Sequence, residues 1–167
     1  MSSRLLQGPE ALVAPLYLVA FLLVATPTMD FATSIIPMRP SDIEWRFASV
    51  GLLSGFLLTP LLGLALAMGV AQLAGHLRFQ RVMSILSLTA TVLCAALLLF
   101  FLLDIFQLKS AVQPEAADAF GSAATKAVIK HGSFIVALAV LGWSGFRMSR
   151  WSIPEPRRKQ AAVIVGS

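Results

Sequence analysis

Few side chains in this sequence could do chemistry, and they are scattered along its length. Asp104 stands in Leu102-Leu103-Asp104-Ile105-Phe106, a carboxylate among large apolar residues. Burying such a charge in hydrocarbon is expensive unless a partner neutralises it. An ion pair with Arg46, Arg39 or Lys130 is therefore expected, in preference to a proton or cation relay. A relay needs more ionisable groups at depth, and the long uncharged stretches supply no Asp, Glu, Lys or Arg. Asp42, Glu44, Trp45 and Arg46 lie close together in sequence, and with Asp104 they make a candidate polar site. Mixed charge beside an aromatic is also what a membrane rim contains.

The two histidines, His76 and His131, belong to opposite faces of the membrane described below, so they cannot converge on a haem or a zinc ion. Cys94 is the only cysteine, which rules out an intramolecular disulfide. The sequence holds no glycine-rich phosphate loop, H-E-x-x-H pair or Ser/His/Asp set at plausible depth. No cofactor, no metal and no enzymatic activity are expected.

What would position these residues is almost entirely oily. Of the 167 residues 57% are hydrophobic and 13% charged, with a mean hydropathy of +0.83. Uncharged runs cover Ala11–Met29, Phe47–Leu77, Val82–Leu103 and Gly132–Phe146, of 19, 31, 22 and 15 residues. A hydrocarbon core of about 30 Å takes roughly 20 apolar residues as helix. The expected fold is all-α, an integral membrane four-helix transmembrane bundle in a single domain. Its spans are about 10–27, 47–75, 82–108 and 131–149, its outer connections 28–46 and 109–130, and its basic tail 150–167.

Charge orients this scheme. With the N-terminus inside, inner segments hold eight Lys or Arg and outer segments five. That favours cytoplasmic termini in a cell (inner or plasma) membrane. The net charge of +5 is explained by this asymmetry and calls for no nucleic acid. A cleaved signal peptide is the rival reading of Ala11–Ala25, but Thr26-Pro27-Thr28 offers no small-residue cleavage site, so the first span is expected to stay.

Local signals fill in the elements. Pro9 and Glu10 suit a helix start, and Pro27 should end that helix, leaving an irregular loop broken by Pro37 and Pro40. Ser41 and Glu44 fit a capping box that opens the second span. Trp45 and Phe47 are expected at the outer boundary. Pro60 should bend the long second span, with Thr59 satisfying a freed backbone group, and Gly75 should stop it. Gln113 to Lys130 reads as helical, lying on the outer surface or running into span four. Arg157, Arg158 and Lys159 would lie near anionic lipid or serve only as a topology signal.

The most specific pattern is a run of small residues at a spacing of four: Gly51, Gly55, Thr59, Gly63, Ala67, Ala71 and Gly75. Lipid gives helices no hydrophobic reason to associate, so contact depends on close backbone approach along such a ridge. Packing within the chain is favoured over packing against a partner. The expected role is structural: an accessory or assembly subunit of a membrane complex, touching lipid and other transmembrane helices in a homo- or hetero-oligomer. The alternative is a small oligomeric transporter or proton-coupled carrier, kept open by the Thr59-Pro60 break.

Overall fold

In a computed structural model of the chain, residues 10–151 are described, and they contain helices and no strand. Helix α1 is Glu10–Ser34, α2 Ile43–Phe56, α3 Leu58–Leu73, α4 Leu77–Lys109 and α5 Ala117–Trp151, with a 3-10 turn at Pro114–Ala116. Helices α1, α4 and α5 are each long and apolar enough to cross a membrane. Helices α2 and α3 pass that test only together, bent by 44° at their junction.

Successive helices run up and down. Tyr17 near the start of α1 bonds His76 after α3, whereas Ile35 after α1 bonds Trp45 near the start of α2. The bundle thus has a His76 end and an Asp104 end. Helix α4 packs most extensively on α5, and α1 mainly on α3. The interior holds two apolar clusters: Val50, Phe101 and Ala127 toward the Asp104 end, and Leu64, Cys94 and Leu138 toward the His76 end. Large apolar side chains such as Phe21, Val92, Phe100, Phe106 and Trp143 point outward instead. A helix that is apolar all round suits surroundings that are themselves apolar.

Three local features differ from the sequence reading. Helix α1 does not stop at Pro27 but continues to Ser34. A proline removes only one helical bond, and beyond it the hydroxyls of Thr28, Thr33 and Ser34 donate back to carbonyls of their own helix. The connection at 28–46 therefore shrinks to residues 35–42. The cap of α2 is Asp42 rather than Ser41: its Oδ1 accepts from the amides of Glu44 (2.9 Å) and Trp45 (3.4 Å). A carboxylate one position nearer the helix does the same work as the hydroxyl and adds charge at the positive end of the dipole. Phe47 faces inward, its ring stacked on Phe101 at 4.9 Å and Phe120 at 5.0 Å. The 109–130 connection, in contrast, follows the reading: most of it is helix continuous with α5, one of the two arrangements expected.

The bend and the stop fall where the prolines and glycines place them. Leu57 alone separates α2 from α3, one turn before Pro60, whose missing N–H leaves the Phe56 carbonyl without its helical donor. Gly75 takes φ +70°, and the His76 amide reaches back to the Ala71 carbonyl at 2.8 Å. That six-to-one bond with a left-handed residue is the Schellman ending, which favours glycine. The tail from 152 onward, with Arg157, Arg158 and Lys159, lies outside the described residues.

Candidate functional site

The polar cluster at the Asp104 end is built by three segments. The 35–42 connection supplies carbonyls and Asp42, the first turn of α2 supplies Trp45 and Arg46, and the last turns of α4 supply Asp104. Arg46 meets Asp104 fork to fork, Nε donating to Oδ2 at 3.0 Å and Nη2 to Oδ1 at 2.7 Å. Its Nη1 also donates to the Pro40 carbonyl at 2.9 Å. Asp104 is buried, while about a third of the Arg46 side chain is exposed, with 34% accessible. The arginine side chain is thus partly exposed while the carboxylate it holds is buried.

Of the three cations weighed for Asp104, the structure pairs it with Arg46. Trp45 donates its indole N–H to the Ile35 carbonyl at 3.1 Å, and Asp42 caps α2. Glu44 is exposed. The structure thus brings Arg46 and Asp104 together, keeps Asp42 and Trp45 beside them in local bonds, and leaves Glu44 at the rim. Chemically this is a clamp that fixes the start of α2 to the end of α4. Both carboxylate oxygens are taken up in accepting from one guanidinium, the two-pronged geometry that gives such pairs their strength and direction.

The small-residue series divides into parts. A Cβ at Gly63 would meet the Ala20 carbonyl oxygen and Val24 Cγ2, each at 2.8 Å, so α1 lies directly on this position. Ala67 and Ala71 are buried in the same helix. A Cβ at Gly51 or Gly55 would meet nothing within 4 Å. Thr59 borders an open groove of about 510 Å³ with Pro27 and Asp30 of α1, and Gly75 lies past the helix end.

Compared with models of protein families, with curated proteins and with solved structures, the chain matches none. Its own geometry is therefore what speaks for its function.

Sequence reasoning missed the polar groups inside the bundle. Gln80, Ser84 and Ser87 of α4, Ser49 and Ser54 of α2, and His131 and Ser149 of α5 are all buried. Ser87 donates across the helix interface to the Leu138 carbonyl at 2.9 Å. Ser54, Ser84 and Ser149 donate to carbonyls of their own helices. His131 is fully buried, and neither ring nitrogen has a hydrogen-bond partner. The signal was present in the face of Phe120, Ala124 and Ala127: continued by one helical turn, it reaches His131, which places that residue in the interior. His76, by contrast, sits at the far end, with Nδ1 sharing a 3.0 Å hydrogen bond with the Tyr17 hydroxyl. Among the described residues no group of three or more His, Cys, Asp or Glu could hold a metal ion.

Proposed function

We propose that the chain is a four-span integral membrane protein of a cell membrane, with both termini cytoplasmic, and that it works as a structural or accessory subunit packing against other transmembrane helices. The observation that carries this reading is the engagement of the polar cluster. Asp42, Trp45, Arg46 and Asp104 all bond inside the fold, while large apolar side chains along the helices, among them Phe21, Val92, Phe100 and Trp143, are left exposed for lipid or other helices. Support for a fourth span is that the bent α2–α3 pair, taken together, is long and apolar enough to cross a membrane. Gly51 and Gly55, with open space above them, give a second helix room for close approach.

Disulfide or maleimide cross-linking of Gly55→Cys in native membranes, in a Cys94→Ala background, tests this reading. A discrete cross-linked species that Gly51→Leu abolishes is expected. A chain that stays monomeric and uncross-linked at native abundance would contradict it.

A second reading, a small proton-coupled carrier, draws support from the interrupted span, since broken helices expose backbone carbonyls where substrates and ions bind. Proton flux into liposomes holding the purified chain is its test. Flux above that of empty vesicles supports it, and its absence contradicts it.

A further inference from the structure

On α1 the hydroxyls of Thr28, Thr33 and Ser34 are spent on carbonyls of their own helix. Those of Thr26 and Thr59 are not: among the described residues neither makes a hydrogen bond. The Asp30 carboxylate is equally unengaged there, since the one ion pair is that of Arg46 with Asp104. These three groups border one space, the groove of about 510 Å³ between α1 and the α2–α3 junction.

The rest of the groove is hydrocarbon. Val19, Leu22, Thr26 and Asp30 follow at intervals of three and four along α1, so they share one face of that helix. From Val19 to Asp30 this face runs about 16 Å, with the carboxylate toward the Asp104 end of the bundle. Phe56, the last residue of α2, forms the opposite wall, and its ring lies 6.2 Å from that of Phe31 on α1. Val19 and Leu22 are exposed, so the groove opens sideways, toward lipid. A carboxylate bordering hydrocarbon is costly without a cation, and among the described residues no Lys, Arg or His lines the groove.

We propose that this groove binds a free primary alkylammonium, its nitrogen at Asp30, Thr26 and Thr59 and its hydrocarbon part against Val19, Leu22 and Phe56. An ammonium has three N–H donors and no acceptor, which matches one carboxylate and two hydroxyls that lack partners. The bond to the carboxylate is charge-assisted, and the apolar wall takes the chain, as in most small-molecule sites. The ammonium of a lipid headgroup carries a phosphate beside it, and the groove offers that phosphate no cation. The site goes beyond both functional readings, because binding needs neither a partner helix nor transport.

The test is equilibrium dialysis of radiolabelled hexylamine against the full chain in phosphatidylcholine nanodiscs, with empty discs as the reference. At neutral pH the amine is protonated, as a lysine side chain is. Saturable uptake above the empty discs is expected, and hexanol, with the same tail and no charge, should show none. Asp30→Asn should weaken binding about tenfold or more while circular dichroism stays helical, and Thr26→Val should weaken it less. Equal uptake of hexanol would give the groove to lipid tails and overturn the proposal, as would unchanged affinity in Asp30→Asn. Displacement by phosphatidylethanolamine added to the disc would overturn the free amine as the ligand. No saturable uptake overturns the proposal outright, and cross-linking of chains through Leu22→Cys would then assign the groove to a second copy. Binding is read without flux, so the site stands or falls separately from the carrier reading.

Discussion

Arg46 and Asp104, 58 positions apart in the chain, join through two parallel hydrogen bonds, 3.0 Å from Nε and 2.7 Å from Nη2. The pair ties the first turn of α2 to the last turns of α4, and the third guanidinium nitrogen holds the connection at Pro40. One side chain therefore fixes three segments.

Asp104→Asn keeps the shape but removes the charge and one acceptor. Hydrogen bonds to charged groups contribute about 1.5–3 kcal/mol, so a loss of stability in that range is expected, read as a lower melting temperature in detergent. Arg46→Lys should lose part of the same amount, since an ammonium cannot form the two-pronged contact.

The close approach of α1 to α3 makes Gly63 and Gly55 respond differently. Gly63→Ala places a methyl against the Ala20 carbonyl oxygen, which is backbone and cannot swing aside. Overpacking of this kind costs about 1–3 kcal/mol. Gly55→Ala meets open space and should leave the melting temperature of the isolated chain unchanged or raise it slightly, as helix propensity favours alanine by about 1 kcal/mol.

The α4–α5 seam offers a parallel contrast. A Cβ at Gly142 would meet Leu88 Cγ at 2.8 Å and the Leu88 amide nitrogen at 3.1 Å. At Gly145 it would meet the terminal methyl of Met68 and the Ser84 hydroxyl, and the methionine can rotate away. Gly142→Ala should therefore destabilise more than Gly145→Ala, in thermal melts of the two variants side by side.

Ser87→Ala removes the interhelical bond to Leu138. The carbonyl it leaves lies within α5, and such bonds between membrane helices average about 0.6 kcal/mol. A drop of that size in denaturant titration is expected, smaller than for Asp104→Asn.

How legible the structure was in the sequence depended on the reach of each signal. Local chemistry that stands alone was readable: Gly75 as a stop, Pro60 as the source of a bend, and the helical reading of 113–130. Pro27 misled because it removes one bond from a helix of 25 residues, and the flanking hydroxyls and the packing on α3 outweigh that loss. Ser41 and Asp42 are adjacent caps of equal chemistry, and sequence alone does not rank them. Arg46 was one of three possible partners for Asp104, and only the packing of α2 on α4 selects it. His131 was assigned to a boundary by counting uncharged residues. Its face on the helix, which the spacing from Ala124 and Ala127 already implied, decides that it is interior.

The central claim is that the helices cross a bilayer four times, with the Asp104 end outside. Single cysteines at Met38, Gln72 and Ser110 in a Cys94→Ala background, probed with an impermeant maleimide on intact cells, test it most directly. All three positions are exposed, Met38 and Ser110 at the Asp104 end and Gln72 near the His76 end. Labelling of Met38→Cys and Ser110→Cys from outside, with Gln72→Cys labelled only after permeabilisation, is the predicted result. Labelling of all three from the same side, or of Met38→Cys and Ser110→Cys from different sides, would contradict it.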